Sequence, residues 1–143
     1  MKNYQDIIGK RVVELRAWNY DFSEMNFISS DTNNSKEDQN WCKFMNEIRK
    51  GILSDPMQWT GLFDMNKNKI WECDIVKYRL KSYNEKKREG IGVVGYDNEW
   101  GQYYIGTKLK NYSEIQKYPL GQCFVNTIIE IIGNIFKNPE LVK

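Results

Sequence analysis

The sequence predicts a mainly β protein: a small barrel in the C-terminal half, an N-terminal β segment and one inserted amphipathic helix. Three observations predict this. Residues 75–81 alternate, with Val76, Tyr78 and Leu80 facing one way and Lys77, Arg79 and Lys81 the other, the period of a strand with one buried face. Residues 124–136 are Ile-rich and β-branched, which suits a strand. Helical spacing falls at Trp41, Phe44, Met45 and Ile48, positions i, i+3, i+4 and i+7.

The elements follow in order. Loose alternation over 11–18 and the apolar residues of 25–28 read as two short strands, and the polar, turn-rich stretch 29–40 as a loop. Ser35 or Asp38 is placed to cap the helix, its apolar stripe to cover a core, and Gly51 to end it before Asp55-Pro56 forces an extended backbone. Met57 to Leu62 and Ile70 to Glu72 flank a polar turn at Asp64–Lys69. After the strand at 75–81, residues 82–89 form a charged loop. Residues 91–96 and 100–107 flank Asp97-Asn98-Glu99 as a hairpin, and 108–122 form a long connection. The last strand bends at Gly133 and ends at Asn138-Pro139. Five or so short antiparallel strands without edge protection tend to close into a small barrel. A chain of 143 residues suits one domain, 1–143, with the N-terminal strands, loop and helix in 1–56 and the barrel in 57–143.

Composition sets limits on function. The net charge of +2 is too small for a strong polyanion-binding field, although 77–118 hold nine bases against five acids. Cys42, Cys73 and Cys123 have no C-x-x-C spacing, so reduced thiols in the cytoplasm of a bacterial host are expected. No apolar run is long enough for a signal peptide or a membrane span. Abundant Lys, Asn, Ile and Tyr with a single alanine, Ala17, point to a low-GC bacterial or phage genome. The absence of histidine excludes Ser-His-Asp and Cys-His nucleophile pairs.

Several motifs read as turn chemistry. Asp64-Met65-Asn66-Lys67-Asn68 imitates the start of a calcium loop, but Lys69 stands where Gly is needed and Ile75 where a bidentate Glu is needed. Glu72, Asp74 and Lys77 could in principle hold Mg²⁺ in a nuclease, yet both acids also suit the turn before a strand. Residues 90–95 are Gly-rich but lack the Lys-Ser/Thr of a phosphate loop. Neither a metal nor a cofactor is expected.

The chain resembles the YopX family of phage and prophage proteins. The resemblance rests on Arg16-Ala17-Trp18, Gln58, Thr60-Gly61-Leu62, Asp64, Asn66, Ile70, Glu72, Asp74 to Tyr78, Ile132 to Ile135 and Asn138 to Leu141. It implies an SH3-like barrel in the C-terminal half and a phage setting. It implies no activity, because the family's molecular function is uncharacterised. Trp59, Thr60, Gly61, Asp74, Gly133, Asn134 and Pro139 form its scaffold motif. The chain departs from the family pattern at Lys67 and Cys73, where glycine is usual, and at Trp59 and Trp71, where tyrosine is typical. Residues 38–53 read as an insertion.

The candidate binding face is Lys77, Arg79 and Lys81 on one strand with Trp100, Gln102 and Tyr104 on another. Basic side chains beside aromatics suit a nucleic-acid backbone and its bases. Lysines also protect edge strands, and aromatics also fill cores. The expected function is a non-enzymatic protein-binding or adaptor module, with nucleic-acid binding as the alternative and a metal-dependent nuclease as a remote one.

Overall fold

The computed structural model describes residues 12–30, 40–80, 88–108, 113–123 and 127–143. Strands make up 55% of the described residues and form two antiparallel sheets, so the class is mainly β. The chain divides into two compact units, Met1–Gln58 and Trp59–Lys143.

The first unit is built on a hairpin of β1 (Glu14–Asn19) and β2 (Glu24–Ser29), in register from Glu14↔Ser29 to Asn19↔Glu24. Asn19 shapes its turn, the side-chain Oδ1 accepting from the N–H groups of Asp21 and Phe22 at 3.0 and 3.1 Å. Helix α1 (Trp41–Arg49) covers Ala17 and Ile28 with Phe44, and Leu53 completes that core. Ser54 continues the pairing: its N–H donates to Trp18 O and its Oγ accepts from Trp18 N–H at 3.0 Å. Residues Leu15 and Arg16 pair with Gln58 and Met57, the latter opening β3 (Met57–Phe63).

In the second unit β3 pairs with β4 (Lys69–Trp71). The strands β5 (Asp74–Leu80), β6 (Arg88–Asp97), β7 (Gln102–Lys108), β8 (Ile115–Pro119) and β9 (Thr127–Asn134) form a five-stranded sheet in the order β8-β7-β6-β5-β9. One face of this sheet carries the core of Val76, Tyr78, Val94, Ile105 and Ile129, joined by Ile70 and by Leu120 of the short helix α2 (Leu120–Cys123). Each side chain fully removed from water there contributes about 1.5–3 kcal/mol. A single Asp64 fastens the β3–β4 turn to the outer edge of β9. Its Oδ1 accepts from Asn66 and Asn68 N–H, both at 2.9 Å, and its Oδ2 from Ile131 N–H at 3.1 Å, while Met65 N–H reaches Ile129 O. A one-turn 3₁₀ helix, Pro139–Val142, follows β9.

Several expectations change. Among the described residues no closed barrel forms, and β8 and β9 are the two ends of the sheet order. The connection expected over 108–122 contains β8 and α2, since Tyr118 and Leu120 pack on the core and draw a weakly patterned segment into order. Glu89 is in β6, opposite Arg79, rather than in a loop. The N-cap of α1 is Asn40, whose Oδ1 accepts from Lys43 N–H at 3.0 Å; Ser35 and Asp38 lie outside the described residues. Of the helical stripe Phe44 is buried, Ile48 packs beside it half-buried, and Trp41 and Met45 are exposed, so the stripe covers the core only in part. Strand β9 stops at Asn134, where its side chain accepts from Phe136 and Lys137 N–H and turns the chain before Pro139. The bend expected at Gly133 is a bulge: Gly133 faces Ile75, but Ile131 faces the next residue, Val76. No helix among the described residues is long and apolar enough to cross a membrane.

Candidate binding groove at the β6–β7 turn

The site begins with a turn. Asp97 ends β6, and its Oδ1 accepts from Glu99 and Trp100 N–H at 2.9 and 3.2 Å, while Gly101 N–H donates to Asp97 O at 2.8 Å. Closing this turn requires φ +63° at Gly101, a left-handed conformation that glycine adopts without penalty. Trp100 is therefore in the turn, not in a strand as its sequence context suggested. The geometry leaves it 77% exposed, more than any other large apolar side chain among the described residues.

Strand register supplies the rest. Val94 and Ile105, opposite each other, face the core, so the next pair, Gly95 and Tyr104, faces away from it. Pro119 lies opposite Tyr104, and Lys117 opposite Gly106. The two glycines determine how Tyr104 lies. A Cβ on Gly95 would fall 2.7 Å from Tyr104 Cζ, and one on Gly106 3.0 Å from Tyr104 Cε2, so the ring occupies space that side chains would otherwise fill. It reclines over the strands. Lys117 Nζ sits 4.8 Å from the ring centroid and 2.8 Å from Asp97 Oδ2. Asp97, Trp100, Gln102, Tyr104, Lys117 and Pro119 line an open groove of about 300 Å³.

The groove's charges compensate each other. The hydrogen bond from Lys117 holds the Asp97 carboxyl below its ordinary range, helped by the turn's backbone N–H groups, and the same bond raises the Lys117 ammonium. Asp97 and Lys117 were missed in the sequence. In the sequence Asp97 reads as a turn residue alone, and Lys117 lies in the connection expected over 108–122. Their separation of twenty positions gives no local signal.

The basic part of the expected face is not in this groove. Lys77 and Arg79 are exposed on β5, on the same side of the sheet as Tyr104. One strand intervenes, and the β6 partners of Lys77 and Tyr104, Ile91 and Gly95, are four residues apart. That is roughly 10 Å across and 13 Å along the sheet. Arg79 Nε pairs with Glu89 Oε2 at 3.3 Å, and Lys77 stands opposite Glu130 in the ladder. Lys81 lies outside the described residues.

The scaffold motif holds turns. Trp59, opposite Trp71, donates from Nε1 to Leu62 O at 3.1 Å and carries Lys69 Nζ 4.6 Å from its ring centroid. Thr60 Oγ1 donates to Ile70 O at 2.8 Å, and Gly61, at φ +84°, marks the irregularity between Trp59 and Phe63. Buried Asp74 accepts from Trp71 N–H at 2.8 Å. Gly133 leaves room for Asn138, whose Oδ1 would lie 2.4 Å from a Cβ there, and Asn134 and Pro139 turn the chain after β9. Lys67 and Cys73 keep the left-handed geometry that glycine usually supplies, with φ +64° and +67°. Burial pushes the Asp64 carboxyl up, but backbone N–H groups of Asn68, Ile131 and Asn66 outweigh it, and the group sits below its ordinary range.

Comparison with known proteins agrees with this architecture. A solved structure of protein EF1440 from Enterococcus faecalis is similar in fold, with a TM-score of 0.51, 20% identity, and coverage of 92% of this chain and 98% of that one. No curated protein matches. The family model described as YopX protein matches residues 14–143, and the chain belongs to the YopX family.

Proposed function

We propose that this chain is a non-enzymatic binding module, a phage or prophage accessory protein acting in the cytoplasm of a bacterial host. Its protein partner engages the Trp100–Tyr104 groove. The observation that carries this reading is an exposed Trp100 beside a Tyr104 ring laid flat by Gly95 and Gly106. Exposed aromatics held in fixed geometry offer large contact area at low entropic cost, which is what binding hot spots use. An SH3-like architecture for residues 57–143 belongs to the same proposal. It is supported by the bent β9 and by the Asp64 clamp that brings the β3–β4 turn to its edge. The test is affinity capture from host cells with wild type and with a Trp100→Ala/Tyr104→Ala variant. A partner retained by the first and lost by the second supports the reading, and equal retention by both rejects it.

The alternative is nucleic-acid binding through Lys77, Arg79 and Lys81. The exposure of Lys77 and Arg79 favours it, whereas Glu89 and Glu130 beside them weaken the field a phosphate backbone would meet. Binding of this kind falls steeply with salt. A triple alanine variant that holds DNA or RNA as well as wild type would refute it. The remote nuclease reading would require Asp74 to release Trp71 N–H.

A further inference from the structure

We infer that the Trp100–Tyr104 groove takes an extended, proline-containing peptide segment in the polyproline II conformation, an inference that rests on the binding-module reading above. Three features point to this class of ligand. First, the groove is walled by one exposed indole, one reclining phenol ring and Pro119, surfaces that proline rings pack against without needing a deep cavity. Second, polyproline II has no internal hydrogen bonds, so its carbonyls seek donors. Trp100 and Gln102, which line the groove, carry an indole N–H and a side-chain amide as donors. Third, the charge balance selects against a polyanion. Lys117 is the cation lining the groove and is already held by Asp97 at 2.8 Å, and exposed Glu99 adds negative charge to the turn. The complementary ligand is neutral along its contact length, with a basic residue at the end near Glu99.

Gly95 is a positioning residue in this scheme. Its missing side chain lets the Tyr104 ring recline, and all three of the nearest atoms to an added Cβ belong to that ring and its hydroxyl. Gly95→Ala should therefore lift the ring while leaving the sheet folded, a change that separates platform geometry from stability.

The test is an NMR titration of the full chain with three probes: a proline-rich dodecapeptide ending in arginine, the same peptide with every proline replaced by alanine, and single-stranded oligothymidylate. The expected result is saturable shifts at the Trp100 indole N–H and at Gln102, Tyr104 and Lys117 with the proline peptide. Binding should be about tenfold weaker for the alanine peptide, and about tenfold weaker for Gly95→Ala and Trp100→Ala proteins that keep the wild-type spectrum elsewhere. Equal affinity for the two peptides, or full affinity in Gly95→Ala, overturns the inference. So does binding of oligothymidylate in place of the peptide. If neither peptide binds while cellular capture still depends on Trp100, the ligand class is wrong and the binding-module reading stands. If capture is independent of Trp100, that reading itself fails.

Discussion

Two aspartate-led turns, at Asp64 and Asp97, use nearly the same local chemistry for different ends. Each carboxylate accepts from two N–H groups of its own turn through Oδ1, and each turn contains one residue with φ near +60°. They differ in where Oδ2 goes. In Asp64 it reaches a backbone N–H, that of Ile131, and ties the β3–β4 turn to β9. In Asp97 it reaches a side chain, Lys117, on the exposed face of the sheet. The first carboxylate is consumed by the fold, and the second is left shaping a surface. An Asp-rich turn shapes a surface where its remaining oxygen binds a side chain and its neighbours, such as Trp100, stay exposed.

The largest expected effect tests that contrast directly. Asp64→Ala removes the acceptor for three backbone N–H groups, including one on the outer edge of β9, and should destabilise the protein by about 2–4 kcal/mol in a denaturant titration. A loss below 1 kcal/mol would mean that water replaces the carboxylate and that the clamp is dispensable.

A smaller effect separates the two left-handed residues. Gly101→Ala meets nothing closer than Tyr96 OH at 3.8 Å, so its cost is conformational, about 1–2 kcal/mol. Lys67→Gly works in the opposite sense, relieving the φ of +64° and stabilising by less than about 1 kcal/mol after the added freedom of the unfolded chain is counted. Thermal melts of both variants check the pair of signs, and destabilisation by Lys67→Gly would show that its side chain contributes more than its backbone costs.

The smallest effect is in pH dependence. Both carboxyls lie below their ordinary range, so each stabilises the fold when ionised, and this is lost as pH falls through its lowered folded value. Lys117 is raised, so its contribution holds below the ordinary lysine range and is lost as pH rises through the higher folded value. Asp64→Asn should flatten the acid side of the stability profile. Asp97→Asn should do so less and should also flatten the alkaline side. One molar salt should reproduce only the Asp97 effect, because exposed pairs are screened. Equal salt sensitivity in the two variants would break the comparison.

Much of the fold was legible. Alternation over 75–81 located β5 and its buried face, turn residues located both aspartate turns, and the apolar stripe located α1. These signals are local: each element's period and its stop residues lie within a dozen positions. Strand β8 was not legible, since Ile115 to Pro119 has little alternation and gains its order from pairing with β7 and from the burial of neighbouring Leu120. Of the candidate face, Trp100 and Tyr104 line the groove, and Lys77 and Arg79 do not.

By itself the sequence determined the mainly β class, the turns and the family, because neighbour chemistry and residue order suffice for these. Only the tertiary structure decided the groove. Asp97, Tyr104 and Lys117 meet through the registers of β6, β7 and β8, and Tyr104 lies flat because one glycine faces it from β6 and another follows it along its own strand. Register is fixed by core burial over the whole sheet, where a slip of one residue would turn every side chain to the other face. No stretch of a few residues carries that information.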